Sequence, residues 1–313
     1  MKAVVYEAGG VDKLIYQDVE LPKLKKGWSL VKVKGFGLNR SEIFTRKGYS
    51  ETVKFPRILG IECAGIVEKS DVFKKGEKVV SIMGEMGREF NGSYAEYVLL
   101  PNQQIYPIDS ELPWETLAAI PETYYTSYGC MKNLKLSSND EILVRGASSA
   151  TGIAFCNLVK SNFSNVKIYG STQNMSKKDL LIEKGFDDVI LDENYVLNSE
   201  KTFDKILELI GPRSLKDSLK HLKSLGIICS AGQLGEQWFL EDFDPIMELK
   251  NNVYLTTFYS GNVDYDRLQE MFQFIDDNKV IVTPEKVFRL EEIQLAHEYL
   301  ESKKGFGKIV CVV

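Results

Sequence analysis

Histidine is nearly missing from this chain of 313 residues, with His221 and His297 the only two. A zinc centre needs closely spaced imidazole and thiolate donors, and the five cysteines (Cys63, Cys130, Cys156, Cys229 and Cys311) contain no C-x-x-C pair. Their odd number and wide spacing also argue against a disulfide framework and for a reducing compartment. They read as small apolar core side chains. No apolar run approaches the roughly 18 residues of a membrane span. The start Met1-Lys2-Ala3-Val4-Val5 passes directly into Glu7-Ala8-Gly9-Gly10, without the apolar stretch of a secretion signal. A membrane is therefore not an expected partner, and the cytoplasm is the expected location. Positive charge is not in excess either: 39 Lys and Arg stand against 44 Asp and Glu, a formal net charge of -5. No broad positive field exists to attract nucleic acid.

What is present is an ordinary globular composition, with 44% hydrophobic and 27% charged residues. The length suggests two cores. Short β-type runs crowd the first third, at 3–6, 30–35, 65–67, 78–83 and 94–100, and Gly and Pro punctuate them. That texture predicts a barrel-like all-β unit. It changes near Leu117, and from Glu141 onward strands alternate with amphipathic helices. Strands are expected at 141–145, 166–169, 188–191, 204–209, 226–230 and 253–258, and helices at 152–160, 176–184 and 214–222. The fold class is α/β, the rhythm being that of a doubly wound parallel sheet. A helix at 266–276 and β segments at 287–290 and 308–313 are expected to return to the first domain. The expected division is 1–118 completed by 263–313, and 119–262.

The strand 141–145 runs into Gly146-Ala147-Ser148-Ser149-Ala150-Thr151-Gly152 and then the apolar residues Ile153-Ala154-Phe155-Cys156. Small residues between a strand and a helix let backbone N–H groups approach a pyrophosphate, and the helix amino terminus adds about half a positive charge. Ala147, Ser148 and Ala150 depart from the full G-x-G-x-x-G pattern, so a turn that serves only packing competes with this reading. NAD-selective folds place an acid at the end of the second strand. Here that strand ends Tyr169-Gly170-Ser171-Thr172-Gln173, with no acid. Ser171 and Thr172 can donate to a 2′-phosphate and Lys177 can pair with its charge, which favours NADPH. A merely solvated Lys177 is the alternative.

Several segments together resemble the medium-chain dehydrogenases/reductases over nearly the whole chain. They are Met1-Lys2-Ala3-Val4-Val5, Gly37-Leu38-Asn39-Arg40-Ser41-Glu42-Ile43, Pro56-Arg57-Ile58-Leu59-Gly60-Ile61-Glu62-Cys63-Ala64-Gly65-Ile66-Val67, Gly92-Ser93-Tyr94-Ala95-Glu96-Tyr97, Ser230-Ala231-Gly232-Gln233-Leu234-Gly235 and Gly305-Phe306-Gly307-Lys308-Ile309-Val310. The resemblance implies a GroES-like domain with an inserted Rossmann domain. Zinc-dependent members carry Cys where this chain has Asn39, and Gly-His-Glu where it has Gly60-Ile61-Glu62. The four cysteines of their structural zinc lobe have no counterpart between Met83 and Tyr94. No metal is therefore expected, and the pattern is closest to the zinc-free quinone oxidoreductases, the zeta-crystallin-like branch.

In that branch, nicotinamide bound between the domains passes hydride to a conjugated acceptor, and protein groups polarise the acceptor oxygen. The resemblance implies that Asn39 sits near the nicotinamide, Tyr49 lines the acceptor pocket and Thr126 faces the cofactor. Arg40 is a weaker candidate, and Tyr124 or Tyr125 is a candidate proton donor. Gly232, Leu234 and Phe258 follow strands at whose carboxyl ends such sheets bind ligands. A loop-capping Asn39 and packing roles for Tyr49, Leu234 and Phe258 compete with these readings. The substrate implied is a quinone or conjugated carbonyl compound, and a homodimer paired at the 253–258 edge strand is the implied assembly. A 2-alkenal or enoyl reductase and a non-catalytic, crystallin-like nucleotide binder remain the alternatives.

Overall fold

A computed structural model describes residues 1–313 except Tyr6, Glu51 and Lys303, so the end of the first expected strand at Tyr6 lies outside the described residues. The chain forms two compact units. The first comprises Met1–Thr123, Gly261–Glu270 and Val282–Val313, and the second Tyr124–Ser260 and Met271–Ile281.

The first unit is built on the strand Trp28–Gly37. Val31 and Val33 point inward and Lys32 and Lys34 outward, the period-2 pattern of a half-buried strand. It pairs antiparallel with Glu62–Lys69, Tyr97–Pro101 and Ile309–Val312. The last of these brings the carboxyl-terminal residues into this unit and carries Lys286–Arg289 at its far side. The core includes Val31, Phe36, Val67, Tyr94, Val98 and Leu100. Tyr94 stacks on Phe36 at 4.7 Å, and its hydroxyl meets His297 Nε2 at 3.0 Å. His297, expected outside the first domain, thus belongs to its core; burial and nearby Arg46 push its pKa down to about 3. It is a neutral packing group.

The second unit holds a seven-stranded sheet in the order Val196–Leu197, Asp188–Glu193, Lys167–Thr172, Glu141–Arg145, Phe203–Glu208, Leu222–Ser230, Tyr254–Thr257. All neighbours are parallel except the two-residue edge at Val196–Leu197. From its second member onward the order is 3-2-1-4-5-6, with chain direction reversing between Glu141–Arg145 and Phe203–Glu208, where open sheets bind ligands. The helix Pro212–Lys220 starts two residues earlier than expected, because Gly211, at φ 93, and Pro212 set its first turn. It stops at Lys220, His221 serving as its cap, and so Leu222–Ser230 extends four residues further back than the expected strand. Among the described residues no helix is long and apolar enough to cross a membrane. All five cysteines are unpaired and buried.

Candidate active site

Glycine geometry defines the turn after Glu141–Arg145. Gly146 takes φ +82, and a Cβ there would stand 3.1–3.3 Å from Leu234 Cδ1, Ile210 Cδ1 and Leu209 Cβ. A Cβ on Gly152 would lie 2.7 Å from Ala147 O and 2.9 Å from Gly146 O, both backbone atoms that cannot swing away. Gly170 lets the second strand pass close by, its absent Cβ 2.8 Å from Ala147 Cβ. Ser149 caps the helix Ala150–Asn162 by accepting from Gly152 N at 3.1 Å. Ala150 and Thr151 open that helix, so their N–H groups have no intrahelical acceptor and remain for a ligand. Ser148, Ser149, Ala150 and Thr151 are partly exposed and Ala147 is buried. Gly232 packs on the next loop, a Cβ there meeting Leu209 O at 2.2 Å, and Leu234 N bonds Leu209 O at 3.1 Å. Gly146, Gly152, Gly232 and Leu234 are thus brought to one crevice at the reversal point of the sheet.

The tip of the second strand differs from the simple reading. Ser171 is 1% exposed; its hydroxyl accepts from Gly146 N at 3.4 Å and donates to Asp192 Oδ2 at 3.3 Å. Thr172 Oγ1 accepts from Asn174 N and donates to Asn174 O, each at 3.2 Å. Lys177 lies just beyond, half-buried, at the end of the turn Met175–Lys177. Beneath the tip is a group that sequence reasoning missed. Arg145, fully buried, donates to Asp192 Oδ2 from Nε at 2.9 Å and Nη2 at 2.7 Å, and from Nη1 to Asp217 at 2.9 Å and Ser218 at 3.0 Å. Buried Glu208 accepts from Ile210 N at 2.7 Å and Gly211 N at 3.1 Å, fixing the loop after its strand, while burial drives its pKa up.

Thr126, Tyr124 and Tyr125 lie buried in the helix Pro121–Leu134. Tyr124 donates to Ile281 O at 3.3 Å and accepts from Asn157 at 3.2 Å, and burial pushes its phenol up to about 12. Phe258 is nearly buried; it packs edge-on to Tyr125 at 5.5 Å, and a Cβ on Gly129 would strike its ring at 2.2 Å. Its environment is therefore this helix.

In the first unit Asn39 immediately precedes the helix Arg40–Arg46, and its amide is held at both ends. Oδ1 accepts from Lys308 Nζ at 2.7 Å, and Nδ2 donates to Glu62 Oε1 at 2.9 Å. Lys308 also donates to Glu62 Oε1 at 2.6 Å, and Glu62 Oε2 accepts from Glu122 N at 2.8 Å. Gly37 makes room for this pair, since a Cβ would lie 2.2 Å from Lys308 Cε. Glu42 accepts from Asn39 N at 3.1 Å and Ile61 N at 3.3 Å. Tyr49, by contrast, is 57% exposed and stacks on Phe44 at 6.3 Å.

Burial, opposed by Lys308 and reinforced by Glu62, pushes the Glu42 carboxyl up to about 7. The folded state therefore binds this proton more tightly than the unfolded chain, whose Glu titrates near 4.5. The stabilisation is complete below about 4.5 and is lost as pH rises to about 7, a swing of about 3 kcal/mol. Urea titrations at pH 5 and pH 7.5 should show wild type losing that much stability relative to Glu42→Gln. Parallel curves for the two proteins would refute the assignment.

These residues do not suit a metal. Both oxygens of Glu62 are engaged by Lys308, Asn39 and Glu122, and Ile61 offers no donor. Among the described residues no group of three or more His, Cys, Asp or Glu side chains is arranged to hold one. The glycine-limited turn does fit a dinucleotide pyrophosphate.

The family model described as alcohol dehydrogenase GroES-like domain matches residues 25–110, and the one described as zinc-binding dehydrogenase matches 184–311. The chain belongs to the medium-chain dehydrogenase/reductase superfamily of oxidoreductases. Among members of that superfamily, the quinone oxidoreductase of Homo sapiens is 28% identical over 332 residues, covering 100% of this chain and 98% of the relative. The quinone oxidoreductase of Mus musculus is 29% identical over 252 residues, covering 75% and 74%. In fold, the chain is similar to the quinone oxidoreductase from Coxiella burnetii, with TM-score 0.83, 22% identity and coverage of 100% and 99%. The yhdH oxidoreductase from Salmonella enterica, solved in complex with NADP, gives TM-score 0.86 at 19% identity, with both chains fully covered. A medium-chain reductase of this kind uses a nicotinamide cofactor and a small-molecule substrate.

Proposed function

We propose that this medium-chain reductase is NADPH-dependent and zinc-independent, and reduces a quinone or a similar conjugated carbonyl compound. The observation that carries the reading is the glycine-limited turn of Gly146 to Gly152 at the reversal point of the sheet. Its N–H groups and helix amino terminus would hold the pyrophosphate. Gly232 and Leu234 line the same crevice, and Lys177 beside the tip of the second strand would answer the 2′-phosphate. We assign the nucleotide domain to 119–262 and the catalytic domain to 1–118 with 263–313. When bound, NADPH supplies the hydride that, with a proton, converts a quinone to its hydroquinone.

The chain's own task is to bind, orient and polarise. Asn39 and Tyr49 are the residues we assign to the acceptor. The Lys308 ammonium, bonded to Asn39 Oδ1, fixes the orientation of that amide. We place the protein in the cytoplasm, in keeping with its unpaired buried cysteines. We also propose a homodimer through Tyr254–Thr257. This strand has one neighbour in its sheet, and Tyr254 is exposed, as are nearby chain residues Phe239 and Ile246.

The test is oxidation of NADPH and NADH with a naphthoquinone and with a 2-alkenal, before and after chelator, with light scattering of the same sample. Chelator-insensitive, NADPH-selective quinone turnover at twice the 35.5 kDa chain mass is the expected result. Turnover of the alkenal alone would move the function to enoyl reduction, and binding without turnover to the crystallin-like alternative. Chelator-sensitive activity would overturn zinc independence.

A further inference from the structure

Two cations of the first unit meet only neutral acceptors. Arg88 Nη2 donates to Ser41 Oγ at 2.8 Å, and Arg57 Nη1 donates to Asn91 Oδ1 at 3.3 Å. Both Nε atoms are buried without a hydrogen-bond partner. Elsewhere the chain pairs its buried guanidinium groups with carboxylates, Arg46 with Glu301 and Arg145 with Asp192 and Asp217. Among the described residues neither Arg57 nor Arg88 has such a pair. Glu85 and Glu89, on the same turn as Arg88, are exposed, and they meet it only through backbone bonds to Glu85 O. Burial pushes the pKa of Arg57 down, with no carboxylate to restore it.

Both groups are anchored within one short loop, since Arg88 and Asn91 are three residues apart. That loop is clamped on the chain at Ile58, Leu59 and Gly60. Gly92 N bonds Ile58 O at 2.8 Å, Tyr94 N bonds Leu59 O at 3.0 Å, and a Cβ on Gly87 would lie 2.7 Å from Gly60 O. The other anchor, Ser41, sits in the first turn of the helix that Asn39 precedes, next to Glu42, whose carboxylate holds Ile61 N. A guanidinium that is partly desolvated and lacks an acid is a costly arrangement. Its planar fork matches the oxygens of a carboxylate, sulfonate or phosphate.

We propose that Arg88, together with Arg57, docks an anionic group of the acceptor, so that the preferred substrates of this reductase are negatively charged conjugated carbonyl compounds. The substrate class rests on the reductase reading above; the anion site itself does not.

Steady-state turnover with NADPH should compare 1,2-naphthoquinone-4-sulfonate with 1,2-naphthoquinone. The ratio of their kcat/KM values is expected to favour the sulfonate at low salt and to fall about tenfold in Arg88→Gln, less in Arg57→Gln, with partial recovery in Arg88→Lys. Competition by benzoate against competition by inorganic phosphate then identifies which anion the site prefers. A ratio equal in wild type and Arg88→Gln would overturn the proposal. Calorimetric titration with 2-naphthalenesulfonate gives a readout independent of turnover, in which Arg88→Gln should bind about tenfold more weakly. Sulfonate binding lost in Arg88→Gln, with no quinone reduced by wild type, would remove the reductase reading and keep the anion site. Identical binding in the two proteins would remove the site.

Discussion

Gly152→Ala should weaken NADPH binding by about 100-fold while leaving the protein folded. The direction runs against local propensity, because alanine inside a helix is favoured over glycine by about 1 kcal/mol. What opposes it is space: the new methyl carbon would stand 2.7 Å from Ala147 O and 2.9 Å from Gly146 O. Relief requires the turn to move away from the helix Ala150–Asn162, which pulls its N–H groups out of register with a pyrophosphate. Quenching of intrinsic fluorescence by NADPH measures the affinity, and a thermal melt checks the fold. An affinity within about threefold of wild type would show that the turn does not hold the nucleotide.

Lys308→Met should destabilise the first unit by about 3–5 kcal/mol, because it strands the buried Glu62 carboxylate without its cation. The substitution removes the 2.6 Å bond to Glu62 and the 2.7 Å bond to Asn39 Oδ1 together. Denaturant unfolding measures the loss. The double variant Lys308→Met/Glu62→Leu should recover much of it, since removing both charges removes the desolvation penalty. If the single and double variants were equally unstable, packing at position 308 would explain the loss and the ion pair would not.

The parts of the site legible in sequence are those set by neighbours along the chain. The turn from Gly146 to Gly152 announces itself by small residues between an apolar strand and an apolar helix, and Gly152 shows the close backbone contact that such a pattern requires. The strand Asp188–Glu193 and the helix Ala150–Asn162 fall within two residues of their expected bounds. The environments of Ser171, Asn39 and Phe258 were not legible. Ser171 is taken by Asp192 from the next strand, and the Asn39 amide is held by a lysine 269 residues away. Phe258 lies on Gly129 of a helix that no periodicity had announced.

The alternation of Val31 and Val33 with Lys32 and Lys34, the switch from short strands to a βαβ rhythm at Glu141 and the small-residue turn are local patterns. Local sterics and hydrophobic period suffice to specify them. The sequence alone therefore determined the class of fold, the two units and the place of the phosphate turn. Which charges meet was decided only in three dimensions. Arg145 finds Asp192 and Asp217, Lys308 finds Glu62, and Arg57 and Arg88 find no acid. A buried charge must be paired by whatever the fold brings to it, and that partner's position in the chain leaves no periodic trace.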